Sequence, residues 1–141
     1  MRKIIVGYDG SEPAARAVQM ALSFAEKFGA TLQLVYAVPL TTLPPEAIAA
    51  GALEIDKAHK ESARRMLEER KRTHERPEVQ VEVYVLEGGA VAQRIADHAS
   101  DEKADLIVVG SQGKGAVSRV LAGSISTRLV HLAQQPVLVV R

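Results

Sequence analysis

The run DLIVVGSQGKGAVSRVLAGSIST, residues 105–127, decides the fold. It opens on Leu106-Ile107-Val108-Val109, apolar and β-branched enough for a strand buried on both faces. Gly110 ends the run, glycines at 113 and 115 follow in a loop, and residues 116–121 are apolar enough to pack. Gly123-Ser124 then leads into a helical pattern. A buried strand that feeds a glycine-rich loop ending at a helix start suits phosphate. Backbone N–H groups lack partners there, glycine lets an anion come close, and the helix dipole favours negative charge.

Working outward, residues 3–8 (KIIVGY) form a second compact apolar run and read as a central strand. Asp9-Gly10-Ser11-Glu12-Pro13 turns the chain, with Ser11 an N-cap and Pro13 tolerated in a first helical turn. Ala14, Ala17, Val18, Ala21, Leu22, Ala25 and Phe28 repeat at helical steps over residues 14–28 and give one apolar face, and Gly29 stops the helix. Residues 31–38 (TLQLVYAV) are the next strand, closed by Pro39, and 41–45 form a loop. A long helix is expected from Glu46 to about His74, with Ile48, Ala52, Ile55, Ser62, Met66 and Thr73 on its inner side. Gly51 weakens its start by ~1 kcal/mol relative to Ala. Its charged end, residues 68–76, reads as solvated. After Pro77, residues 79–86 (VQVEVYVL) alternate with period two, which places that strand at a sheet edge. A helix over 90–100 buries Val91, Ile95 and Ala99, another runs over about 124–133, and residues 136–140 (PVLVV) close the chain as a strand.

Five strands thus alternate with four helices, which predicts an α/β fold with one open, five-stranded parallel sheet and helices on both faces. The alternating strand is peripheral and the runs at 3–8 and 105–110 are central. Right-handed crossovers then favour the order 3-2-1-4-5. Ligands of such sheets sit beyond the carboxyl ends of the strands, where the order reverses. That places Asp9 opposite the loop after Gly110. At 141 residues the chain has the size of one domain, 1–141.

Composition excludes several classes. There is no Cys, hence no disulfide, thiolate nucleophile or thiolate metal site. Aromatics are 4% with no Trp, too few for base-stacking platforms, and a net charge of +1 gives no electrostatic case for nucleic acid or membrane. No apolar run approaches a signal sequence or a membrane span, so a cytoplasmic location is expected. The histidines (59, 74, 98 and 131) lack paired metal spacing, and three read as helix-surface positions. No metal site is expected.

Several nucleotide motifs fail. Residues 110–115 have Walker-like glycine spacing, but Ala116-Val117 stands where Lys and Ser or Thr are required. Gly113-Lys114-Gly115 begins a dinucleotide fingerprint that Ser118 breaks. The first turn lacks the glycines and serines of a flavodoxin phosphate loop, and Asp9 alone is too little acid for a response-regulator receiver.

What remains is Gly110-x2-Gly113-x9-Gly123-Ser124. This spacing resembles the G-x2-G-x9-G-[S/T] signature of the ATP-binding branch of the universal stress protein family. The resemblance runs the whole length, from KIIVGYDGSE to PVLVVR, and implies the same Rossmann-like five-strand order. It implies ATP, with or without Mg²⁺, held at its phosphates by Gly110, Gly113, Gly123 and Ser124 and by the backbone of Ile125 and Ser126. Asp9 matches the ribose contact, Ala37 the backbone contact to adenine, and Val109 a further lining residue. Two departures stand out. Tyr36-Ala37 replaces a frequent His-Val pair, and Gln112 replaces a frequent basic residue. Lys114 and Arg119 read as solvated loop charges.

Plainer roles exist for the same residues: the glycines as a tight loop, Ser124 as an N-cap, Asp9 as a cap of the first helix. The reading reached is an ATP-binding stress or signalling protein whose occupancy alters conformation or partner choice, with no catalytic residue assigned. A slow Mg-dependent ATP hydrolase and a nucleotide-free dimeric adaptor are the rivals, since no clear base accompanies the loop. The closing strand, apolar and charge-free until Arg141, is an unprotected edge that favours a homodimer through residues 136–140, as the family resemblance also implies.

Overall fold

The structure, a computed structural model, describes residues 1–38, 44–112 and 123–141. Gly113, Lys114, Gly115, Arg119 and the apolar run at 116–121 lie outside the described residues. The chain runs β1 (Lys3–Gly7), α1 (Glu12–Phe28), β2 (Thr31–Val38), α2 (Pro45–Ala49), α3 (Ala52–His74), β3 (Val81–Glu87), α4 (Val91–Asp101), β4 (Leu106–Gly110), α5 (Ser124–Leu132) and β5 (Val137–Val140). The strands form one parallel sheet in the order β3-β2-β1-β4-β5, as the alternating β3 and the buried runs of β1 and β4 predict.

Strand side chains alternate between two apolar layers. Ile4, Val6, Leu32, Leu34 and Val108 pack with the buried face of α1 and with Leu67 of α3. Ile5, Val35, Ile107 and Val109 pack with Ala92, Ile95, Ala96 and Ala99 of α4 and Leu129 of α5. The alanines of α1 let its axis lie close to the sheet, and Ser11 caps it by accepting the Ala14 N–H at 3.3 Å. Among the described residues no helix is long and apolar enough to cross a membrane.

The expected helix from 46 to 74 is two helices. Gly51 adopts φ +90°, a left-handed conformation that an L side chain resists, and breaks the backbone between α2 and α3. The inner face also differs from the expected one. Ile55 is 71% exposed, whereas Ala63, Leu67 and His74 are buried. Of the expected positions Met66 does pack against the core, but Ile48, Ile55, Ser62 and Thr73 are exposed, and Arg70 and His74 belong to the inner stripe instead. Arg70 donates from Nη2 to the Tyr8 hydroxyl at 2.8 Å, so the charged end of α3 is partly engaged rather than wholly solvated. Phe28, expected on the inner face of α1, is exposed.

At the amino ends of the strands a buried polar cluster replaces core. Gln33, fully buried in β2, donates to Glu82 at 2.8 Å and Glu102 at 3.0 Å, while His98 Nε2 lies 3.1 Å from its amide oxygen. Because the Gln33 amide nitrogen faces two carboxylates, its oxygen faces His98, and His98 carries its proton on Nε2. Lys3 closes the cluster on Glu102 at 2.5 Å. Beside it Asp105 accepts the backbone N–H groups of Arg2 and Lys3, tying β1 to β4.

These hydrogen bonds hold the Asp105 and Glu102 carboxyls below the usual carboxylate range. Their stabilisation is therefore present above the unfolded pKa of about 4 and is lost as pH falls through the lowered folded values. The urea midpoint is expected to fall modestly from about pH 7 to 5, where burial holds the His74 and His98 pKa values below those of the unfolded chain, and to drop further below about pH 4 as the carboxylates protonate. Asp105→Asn, which keeps an oxygen acceptor but does not titrate, is expected to shrink that drop. An acid profile identical to wild type would remove Asp105 from the account.

Candidate functional site

The sheet order reverses between β1 and β4, and the carboxyl ends there open into a cleft of about 450 Å³. Its apolar floor is Val35 and Ala37 from β2, Val109 from β4, and Val91 and Ile95 from the first turns of α4. Gly7, Tyr8 and Asp9 enter from the end of β1, and Gly110 and Gln112 from the end of β4. Gly123, Ser124, Ile125 and Ser126, at the start of α5, form the far wall.

Asp9 is the one charged side chain among the described lining residues. Its Oδ1 accepts the Ser11 N–H at 2.9 Å, which fixes the turn out of β1. The capping of α1 falls to Ser11, so Asp9 shapes the turn and faces the cleft without being the helix cap. Across from it, α5 starts with no side-chain cap. Its N-cap is Gly123, not Ser124, which is the first helical residue. The N–H groups of Ser124, Ile125 and Ser126 have no acceptor within the helix, as at any helix start, and the positive end of the dipole faces the same space. Ser126 contributes differently: its hydroxyl is buried and bonds Gly123 O at 2.9 Å and Ser111 O at 3.3 Å, stitching the helix start to the end of β4.

Gly110 has a structural reason to be glycine. A Cβ there would lie 2.7 Å from Ala14 N and Pro13 C, both backbone atoms of the first turn of α1. Its lack of a side chain lets α1 close on β4, and only then does it border the cleft. The Gly123 N–H donates to Ser111 O at 2.5 Å, so the two loop ends meet.

Sequence reasoning did not single out Tyr8, Val91 and Ile95 as lining residues, and it marked Tyr36 only as a departure in the adenine pocket. Tyr8 and Tyr36 share the side of the sheet facing α1 and α3. The Tyr36 hydroxyl lies 3.0 Å from His59 Nε2, and its pKa is raised by burial and then by Asp9. Val91 and Ile95 were legible only as an apolar helix face; their place over the sheet's carboxyl end follows from the short turn after β3. Among the described residues no group of three or more His, Asp or Glu could hold a metal ion. The arrangement offers an apolar slot, a carboxylate able to accept from a diol, and a helix start able to receive an anion.

The model of the universal stress protein family matches residues 1–141. The chain belongs to that family. This universal stress protein is 35% identical to universal stress protein MJ0531 of Methanocaldococcus jannaschii, over 99% of its own length and 82% of the relative's. In structure it is similar to hypothetical protein MJ0577, with a TM-score of 0.82 and 26% identity, covering 99% of this chain and 94% of that one. It is also similar to a universal stress protein solved in complex with cAMP, with a TM-score of 0.68 and 25% identity, covering 99% and 97%.

Proposed function

We propose that this universal stress protein binds an adenine nucleotide in the switch-point cleft, ATP foremost, and that occupancy alters its conformation or its choice of partner. The observation that carries the reading is the placement of Asp9 opposite the uncapped start of α5, with the apolar slot of Val35, Ala37, Val109 and Ile95 between them. A ribose diol suits the carboxylate, a flat base suits the slot, and phosphates suit the N–H groups of Ser124, Ile125 and Ser126. The Gly110-x2-Gly113-x9-Gly123-Ser124 spacing supports ATP and membership of the ATP-binding branch. The relative solved with cAMP supports the nucleotide class. Mass spectrometry of what the freshly purified protein releases on denaturation is expected to find an adenine nucleotide, or ATP once the protein has been incubated with it. Finding none under both conditions would overturn the reading.

We also propose a homodimer through β5. The strand ends the sheet, and its outer side pairs with no described strand. Pro136 O accepts from Ile107 of β4 and Val140 O from Ser111 just beyond it, so by strand alternation the N–H and C=O groups of Val137 and Val139 point outward. Light scattering at micromolar concentration is expected to give a dimer. Val139→Pro, which removes an outward donor and leaves the bonds to β4, is expected to give a folded monomer. A monomeric wild type would refute the interface.

A further inference from the structure

A chain of contacts leads from the cleft wall into the charged end of α3. Tyr8 is buried, borders the cleft, and directly precedes Asp9. Its N–H is held by Val35 O at 2.9 Å, and its hydroxyl accepts from Arg70 Nη2 at 2.8 Å. The Arg70 guanidinium carbon stands 4.8 Å from the centroid of the same ring. The other terminal nitrogen of that guanidinium, Nη1, lies 3.2 Å from His74 Nε2. A guanidinium only donates, so His74 Nε2 is the acceptor and the ring proton sits on Nδ1.

We propose that Arg70 and His74 are positioning residues for the nucleotide cleft: neutral His74 anchors Arg70, Arg70 clamps Tyr8, and protonation of His74 releases the clamp. The proposal rests on the nucleotide reading of the cleft. His74 is only 7% exposed. From its own helix it faces Arg70, and from α1 the Gln19 amide at 3.4 Å. Arg76, in the turn after α3, adds a second nearby positive charge and is itself paired with Glu26 of α1. Tyr8, at the end of β1, is reached through Arg70.

Protonation at Nε2 turns the acceptor into a donor and sets a like charge 3.2 Å from Arg70 Nη1. Burial first, then Arg70 and Arg76, lower the His74 pKa below its ordinary value. The ring is therefore neutral near pH 7 and charges only on acidification. Tyr8 then loses its donor, and Asp9, the next residue, loses a fixed neighbour on the ribose side of the cleft. Linkage requires the reverse as well: a nucleotide that needs the clamp must lower the His74 pKa further.

The test uses the full chain in two arms. In the first, without nucleotide, NMR follows the His74 ring and the Tyr8 ring from about pH 8 to about pH 5. The two are expected to shift with one midpoint. In His74→Gln, which keeps an acceptor oxygen but does not titrate, the Tyr8 signals are expected to stay still. Tyr8 signals that stay flat while His74 titrates overturn the clamp, as does a His74 that never titrates in a folded chain. In the second arm ATP affinity is measured near both ends of that range, and comparison with His74→Gln cancels the titration of ATP's own phosphates. Wild type is expected to weaken roughly fivefold more than the variant; equal weakening overturns the proposal. Arg70→Lys keeps the charge but cannot bridge Tyr8 and His74, and is expected to bind weakly with the pH profile of His74→Gln. A wild-type profile in that variant overturns the proposal. An absence of ATP binding at every pH removes the nucleotide reading alone, and the Tyr8 titration still decides the clamp.

Discussion

Gly110→Ala is expected to destabilise the protein by about 2 kcal/mol and to lower its thermal midpoint by roughly 6–10 °C. One methyl group is enough, because the Cβ would meet Pro13 C and Ala14 N at 2.7 Å and Pro13 Cβ at 2.9 Å. Backbone in the first turn of a helix cannot rotate aside as a side chain can. The first turn of α1 must lift from β4, which loosens the Ser11 cap and the apolar packing of Ala14 beneath it. Gly7→Ala is the matched control. Its Cβ would approach Val109 Cγ1 at 3.1 Å, the end of a side chain that can give, and its cost is expected to stay under about 1 kcal/mol. Thermal and urea melts of the two variants decide the point; equal losses would contradict a packing role specific to Gly110. The ATP affinity of Gly110→Ala is expected to fall as well, since Asp9 and Ser11 share the displaced turn.

Ser124→Glu is expected to separate folding from binding. The residue is exposed at the first position of α5, where no side chain caps the helix. A carboxylate there interacts favourably with the helix dipole and is expected to raise stability by about 0.3–1 kcal/mol. Against a bound phosphate chain the same carboxylate is a like charge in the place the anion needs. After allowance for solvent screening, the repulsion amounts to about 2 kcal/mol, roughly a thirtyfold loss of ATP affinity. The measurement pairs a thermal melt with a calorimetric titration of ATP. A stable variant that binds ATP as wild type does would move the phosphates away from α5.

Much of the fold was legible because strand position leaves a mark on composition. The apolar runs of β1 and β4 belong to strands buried on both faces, and the alternation of residues 79–86 belongs to a strand at the sheet's edge. Ser11 announced the start of α1 by its chemistry, and the structure shows it accepting the Ala14 N–H. Gly51 signalled a weak start but not a break, since its left-handed conformation is a choice of the folded chain. The inner face of α3 was hidden because Arg70 and His74 read as solvated charge; only the position of Tyr8 shows what they serve. Gln33 was similarly opaque, because its partners Glu82, His98 and Glu102 are scattered along the sequence.

The lining of the candidate cleft was legible in outline. Asp9, Ala37, Val109, Gly110, Gly123, Ser124, Ile125 and Ser126 all border one cleft, while Gly113 lies outside the described residues. What spacing could not reveal is the division of labour. Gly110 admits a helix, the Ser126 hydroxyl braces the end of β4, and the N–H groups of the α5 start face the cleft. Motif positions mark where two loops converge, and only the packing tells which atoms remain available to a ligand.

The central claim is tested most directly by amide chemical-shift mapping of the full chain during titration with ATP. Saturable shifts are expected at Asp9, Ala37, Val109, Gly110, Ser124, Ile125 and Ser126, with Gln33 and His98 at the opposite end of the sheet unmoved. Shifts confined to other surfaces, or none up to millimolar ATP, would contradict it.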